Sequence, residues 1–547
     1  MFFAIMPADT AWAAKKVSLS NKKLSVKVGQ TKTIKVKNVK KKVKWKVVSG
    51  KKNIRMKKKG TKAVTVKGKK KGSAKIQAVI GTKKLICKVT VKKANGKTTP
   101  KQSASSSANT SGTAKPSTGN PNTPSTGTST GTATTKPSGD SSSDAGKNKE
   151  DVTALRKIIA EQKALGAWIS EDINDKEEYT WDENGNLVSV DWKGKHSKGN
   201  LSLSELKHLK IFNCSDGYDS LNSLDVSGCV QLISLECELN ELNSLDVSHN
   251  TLLTKLNCSN NNIESLDVGN NTLLESLDCA MNKLDTLNVS NNTFLETLIC
   301  WDNQLDNLNI NTNTKLQTVE CSGNQLTRLD VSKNTKLEVL KCSGNSLSNL
   351  DISKNKLLKE LDCGWNNLLI TLDVSGNAAL ETVTCAYCNN LSSLNVSGCK
   401  SLQELHCGGN NLTNIDISQN SSLKNLYCFE NQINELDISK NELLEILRCE
   451  KNQLSMLNVS KNTALKVIKC YSNQLSSLDV SNHSALQELS CEDNKLSRLN
   501  VNGCTSLWEL SCTENQIDTL DLSSCDELYE YSLHCDPTVN IIGLKRE

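Results

Sequence analysis

Twenty-two cysteines, six histidines and a long file of aspartates are the residues of this 547-residue chain that could do chemistry. Fifteen cysteines recur at 214, 237, 258, 279, 300, 321, 342, 363, 385, 407, 428, 449, 470, 491 and 512, mostly 21 residues apart. Thiols in this number invite disulfides, soft-metal ligation or redox catalysis. In-register strands bring neighbouring Cα atoms to about 4.8 Å, inside the disulfide range, but parallel side chains hold Cβ atoms at that same spacing rather than the roughly 3.8 Å a bridge prefers. Most thiols are therefore expected to be free. Cys385-Ala-Tyr-Cys388 is the one C-x-x-C, and without a second pair it lacks a zinc ligand set, so no metal or cofactor is expected. His196, His208, His249, His406, His483 and His534 are scattered, and no nucleophile elbow or phosphate loop occurs. The acids stand in columns, not in pairs across a cleft, so no catalytic residue is assigned and the chain does not read as an enzyme.

The aspartate file stands at 225, 246, 267, 330, 351, 373, 416, 437, 479 and 521, with Asn at 288, 309, 395, 458 and 500. Like charges stacked about 5 Å apart repel by roughly 3 kcal/mol at an effective dielectric of 20, so the file needs relief. Calcium could supply it, as could hydrogen bonds from neighbours such as Ser248, Ser290, Ser332 and Ser353. Free exchange with Asn favours acceptor geometry over charge, hence hydrogen bonds.

These columns require a repeating scaffold. One unit runs Leu253-x-x-Leu256-x-Cys258-x-x-Asn261-x-Ile263-x-x-Leu266-Asp-Val268, and it recurs over residues 206–547 in about 16 units. It resembles the leucine-rich repeat pattern, with Cys at the third apolar place. The resemblance, to bacterial nested repeats with ten- and eleven-residue halves, implies a thin β-rich solenoid with two extended segments per turn. Leu, Ile, Val and Cys should point inward. A first asparagine column (Asn240, Asn261 and onward to Asn515) and a second (Asn250 to Asn462) should turn inward to satisfy backbone groups, with Cys229, Cys399, Cys504, Cys525 and His483 standing in for the second. Adding 21 to 512 puts Leu533 in the Cys place of the last unit. Residues 151–205 form a small α+β cap. It has a helix capped by Asp151 and ended by Gly166, then a hairpin through Asn184-Gly185.

Charge divides the chain. The net +8 conceals +31 over residues 15–97, which hold 30 lysines, Arg55 and no acid, and −24 over residues 151–547. Residues 15–97 alternate apolar residues and lysine, as in Val43-Lys44-Trp45-Lys46-Val47, which predicts short strands of a β-sandwich. The order Trp45, then Ala63 to Gly68, then Gly72 to Ile76 resembles the bacterial immunoglobulin-like group-two domain, with Cys87 alone and hence no inter-sheet disulfide. So many uncompensated lysines call for an anionic cell-envelope polymer as partner, with no specific nucleic-acid recognition in the absence of a base-stacking platform. Residues 98–150, rich in Ser, Thr, Gly and Pro, read as a disordered linker. Residues 1–14 read as a truncated signal peptide ending at Ala11-Trp12-Ala13, which implies an extracellular or cell-surface location. No transmembrane segment is expected.

The fold class is thus multidomain and mainly β: an immunoglobulin-like sandwich, a linker and a leucine-rich-repeat solenoid. In such arrays the variable places beside the columns line a concave binding face. Beside the column cysteines those places are ordinary polar surface until Trp301, Trp365, Tyr387, His406, Tyr427, Phe429 and Tyr471 appear. Exposed Trp and Tyr are frequent hot spots, so these seven are the candidate site for a protein or glycan ligand of a monomeric surface-binding or adhesion protein. Two other outcomes stay open: a purely structural envelope component, or rings that merely fold back over neighbouring glycines such as Gly408 and Gly409.

Overall fold

The computed structural model describes residues 144–216 and 221–544 and, nearer the N-terminus, 18–19, 23–27, 31–37, 43–49, 51–59, 63–80 and 83–92. The expected leader and residues 98–143 of the expected linker lie outside the described residues. The chain divides into two compact units, 1–132 and 133–547. No helix among the described residues is long and apolar enough to cross a membrane.

Among the described residues the first unit carries eight strands: β1 (Ser18–Leu19), β2 (Lys23–Lys27), β3 (Thr31–Lys37), β4 (Lys44–Ser49), β5 (Ile54–Lys59), β6 (Ala63–Gly68), β7 (Gly72–Ile80) and β8 (Lys83–Lys92). They form two four-stranded sheets, β1-β3-β6-β5 and β2-β8-β7-β4. The period-two pattern decides the faces. Ile34, Trp45, Val64, Val66, Ile76, Ala78, Cys87, Val89 and Val91 are buried in one cluster, while Lys44, Lys46, Lys75 and Lys88 are exposed.

In the second unit α1 (Lys149–Ala164) starts three residues before a cap at Asp151 would place it. Its N-cap is Asn148, whose Oδ1 accepts from the Glu150 and Asp151 amides at 3.0 and 3.4 Å. The cap role expected of Asp151 is thereby corrected. Asp151 lies buried in the first turn, where its carboxylate accepts from the Leu187 amide at 2.9 Å and meets His208 Nδ1 at 3.1 Å. Gly166 follows the helix at φ +89°, in the left-handed region that suits glycine. Strands β9 (Tyr179–Trp181) and β10 (Leu187–Asp191) then pair antiparallel around Asn184-Gly185, as the hairpin signal predicts.

From β10 a single parallel sheet grows by one three-residue strand per turn, to Leu533–His534. Its register is invariant: Leu235, Leu256, Leu277, Leu298, Val319 and Leu340 pair in succession. Turns of 22 residues leave it intact, since Leu361, Val383 and Leu405 still align. At the far end Leu533 pairs with Leu510, in the leucine column. Cys512 N donates to His534 O at 2.8 Å, so Cys535, not Leu533, takes the cysteine place. A 3-10 turn at Glu530–Ser532 absorbs two residues that a fixed step of 21 overlooks. The second extended half of each turn pairs as a strand only locally, as where Thr371–Asp373 meets Ser393–Asn395.

The two asparagine columns do different work. In the first, Asn345 Nδ2 donates to Cys321 O and Cys342 O, both at 3.0 Å, and its Oδ1 accepts from Leu326 N at 2.9 Å. In the second, Asn334 Nδ2 donates to Ile310 O and Asn313 O at 3.0 and 2.9 Å, but its buried Oδ1 has no partner. That place needs a donor and no acceptor, so a thiol can serve. Cys399 Sγ donates to Val374 O at 3.1 Å and Cys504 Sγ to Val480 O at 3.2 Å. His483 sits in the same column, with Nε2 3.1 Å from Val459 O.

The aspartate file is resolved by local hydrogen bonds. Oδ1 of each Asp or Asn accepts the amide two residues on, as with Ser353 N to Asp351 at 2.8 Å, Asn311 N to Asn309 at 3.1 Å and Gly269 N to Asp267 at 2.9 Å. The backbone N–H is the constant donor, which is why Ser, Gly and Asn all serve at the second position. These bonds hold the carboxyls of Asp330, Asp351 and Asp437 below the usual range. Asp351→Asn is accordingly expected to change stability by less than about 0.5 kcal/mol, whereas Asp351→Leu costs about 1 kcal/mol; chemical denaturation reads both.

Candidate functional site

Each strand of the long sheet buries its middle residue and turns its flanks outward, which exposes the columns one and three places before each cysteine. The residue one place after the cysteine is not uniformly outward. Trp301 is 36% exposed there, but Ala280 and Glu450 are each 1%. Trp365 and Tyr387 belong to neither set. They stand two places after Cys363 and Cys385, at φ +59° and +56°. The same left-handed position recurs as Leu239, Asn260, Met281, Asp302, Gly323, Gly344, Gly409, Glu430, Lys451 and Ser472. The turn demands that conformation whatever the side chain, at about 1–2 kcal/mol for each non-glycine residue.

Five of the seven candidate residues meet in two groups. Trp365 and Tyr387 stack at 4.6 Å and 23°, and Tyr387 meets Phe429 edge-on at 5.9 Å. His406 and Tyr427 stack at 4.2 Å and 8°, with His406 Nε2 2.8 Å from Glu404 Oε1. Glycines make the first group possible: a Cβ on Gly408 would strike the Phe429 ring, and one on Gly409 the Tyr387 ring. Tyr387 and Phe429 therefore do fold back over these glycines, while remaining half-exposed. Trp301 stands three turns before Trp365, roughly 14 Å away along the sheet.

Sequence reasoning overlooked two members, Arg448 and Glu450. The Arg448 guanidinium lies 5.2 Å from the Phe429 ring centre, and its Nε and Nη2 donate to Glu450 Oε1 at 3.0 and 2.6 Å. The signal was present: charged residues one place either side of a column cysteine, beside aromatics on the adjacent turns. Burial lifts the phenols of Tyr387, Tyr427 and Tyr471. Toward the cap the same face is acidic. Burial, with Glu238 and Glu320 nearby, pushes Asp278 up to about 6. Along the second halves of the turns a polar cavity of about 500 Å³ is lined by Arg328, Asp330 and Asp351, and the turns already use the Oδ1 acceptors of the two aspartates.

The ladder cysteines are free and, except for the half-buried Cys535, buried, and Cys388 Sγ donates to Cys363 O at 3.5 Å, in the place of a first-column asparagine. No group of three His, Cys, Asp or Glu arranged to hold a metal ion is found among the described residues. The site can therefore offer stacking, ion pairing and hydrogen bonding.

No family model matches the chain, and no curated protein matches it. Among solved structures, the functional domain of InlJ from Listeria monocytogenes, which includes a cysteine ladder, is similar. It is 32% identical, covering 61% of this chain and 74% of that one, with a TM-score of 0.55. A leucine-rich repeat protein of Leptospira interrogans is 22% identical over 54% of this chain and 84% of its own, with a TM-score of 0.44. The internalin InlF of Listeria monocytogenes is 21% identical over 56% and 87%, also with a TM-score of 0.44.

Proposed function

This chain belongs to the leucine-rich repeat proteins, and from that premise we propose that it is a secreted or cell-surface binding protein whose sheet face captures a protein ligand. The observation that carries this is the cluster of Trp365, Tyr387, Phe429 and Arg448, half-exposed on four of five successive turns of the sheet face. Aromatic and arginine side chains on a rigid scaffold are the usual anchors of protein recognition. The grouping lies outside the solenoid's core, which is made of the leucine, cysteine and asparagine columns.

The lysine-rich unit fits a second role within the same reading. Its exposed lysines would hold the protein to an anionic envelope polymer, and its eight strands in two sheets around Trp45 agree with an immunoglobulin-like group-two domain.

The test is capture of surface proteins by immobilised chain. Replacing Trp301, Trp365, Tyr387, Phe429 and Tyr471 by Ser is expected to abolish capture and to shift the melting temperature by only a few degrees. Undiminished capture by the folded variant defeats the reading.

A further inference from the structure

The repeat contains its own template for what this face binds. Phe429 follows column Cys428; on the next turn Arg448 precedes Cys449 and Glu450 follows it. The three are in contact, with the guanidinium on the ring and its Nε and Nη2 both on Oε1 of a carboxylate that is 1% exposed. Two turns further, 42 residues on, the same three places hold Tyr471, Ser490 and Glu492. The register confirms the equivalence, since Arg448 pairs with Lys469 and Lys469 with Ser490.

The ring and the carboxylate recur; the cation does not. Ser490 is too short to reach either. Oε2 of Glu492 is buried with no hydrogen-bond partner, and so is Oε2 of Glu450 on the other side of Tyr471. Lys469, the cation on the intervening turn, is directed to Glu488 at 3.9 Å. Buried carboxylate oxygens are ordinarily paired, so an unpaired one beside an aromatic ring marks a place for a donor from outside.

We propose that Tyr471, Ser490 and Glu492 form a subsite for a guanidinium, an arginine side chain presented by the partner protein. This rests on the sheet-face reading above. The guanidinium would stack on Tyr471 and fork onto Glu492, as Arg448 does on Phe429 and Glu450. A planar, weakly hydrated cation suits a ring flanked by a carboxylate better than the compact ammonium of lysine. The half-exposed Tyr471 ring must turn aside to admit it.

The experiment uses the full chain and a fluorescent nonapeptide with one arginine among glycines and serines, against the same peptide with citrulline, its neutral isostere. The arginine peptide is expected to bind at least tenfold tighter by fluorescence polarisation. Glu492→Gln removes the anion, and Ser490→Arg supplies the cation from within; each should bring the ratio to about one. Ser490→Arg should also melt no lower than the parent, which separates occupancy of the site from damage to the fold. Equal binding of the two peptides by the parent, or an unchanged ratio in both variants, overturns the subsite. If that occurs while the five-serine variant still loses capture, the subsite alone falls and the sheet-face reading stands.

Discussion

Replacing Asn345 by alanine is expected to destabilise the repeat array by about 3–5 kcal/mol, while replacing Asn334 by cysteine costs about 1 kcal/mol or less. Both side chains are buried asparagines on neighbouring columns, so burial and residue type predict equal effects. Their hydrogen bonds do not. Asn345 joins three backbone groups of two adjacent turns: Cys321 O, Cys342 O and Leu326 N. Alanine leaves the Leu326 amide unpaired in a dry interior, at about 1–3 kcal/mol, and takes one donor each from Cys321 O and Cys342 O, which keep Asn324 and Asn366, at about 1 kcal/mol per bond lost. Asn334 serves two carbonyls and leaves its own Oδ1 unsatisfied. A cysteine there retains one donor, removes the orphan acceptor, and has precedent in this chain at Cys399 and Cys504. Urea unfolding of the two variants measures the difference. Because each turn contacts chiefly its neighbours, hydrogen exchange in Asn345→Ala should show the loss of protection concentrated near that turn. Equal destabilisation by the two substitutions would mean that the columns are interchangeable, contrary to their geometry.

The contrast also marks what can be read from sequence. A column is legible when one residue type solves one physical problem on every turn. The leucines, ladder cysteines and both asparagine files met that condition, and each occupies the inward place expected of it. The left-handed place two residues after each cysteine did not, because Leu239, Met281, Trp365 and Lys451 all adopt it under the constraint of the turn. Only Gly323, Gly344 and Gly409 hinted at it. Strand alternation alone therefore misassigned the setting of Trp365 and Tyr387. Arg448 and Glu450 escaped notice for a related reason: charge in a variable column reads as ordinary surface, and only the ring beneath the guanidinium sets this pair apart. The Leu533 assignment failed because counting by a fixed period cannot see an inserted turn.

Alkylation of the native protein at pH 8 is expected to mark Cys535 at least about tenfold faster than Cys258, Cys321 or Cys407. Burial pushes the thiols of these three up to about 12 from an ordinary value of 9. The reactive thiolate at pH 8 thereby falls from about one molecule in ten to about one in ten thousand, before access is considered. Burial and Asp536 raise the Cys535 thiol as well, but Cys535 is only half-buried where the other three are fully buried, so access favours it further. The remaining ladder thiols should react only as fast as their turns open, so urea should release the whole set together. Mass spectrometry after timed iodoacetamide exposure identifies each site. Early labelling of Cys385 or Cys388 would instead indicate an activated C-x-x-C, and thiols missing from the unfolded protein under nonreducing conditions would indicate bridges. The neutral ladder also bears on the fold itself. Adjacent thiolates about 5 Å apart in a dry core would repel one another strongly, so the protonated state that makes these cysteines unreactive is also what allows them to stack.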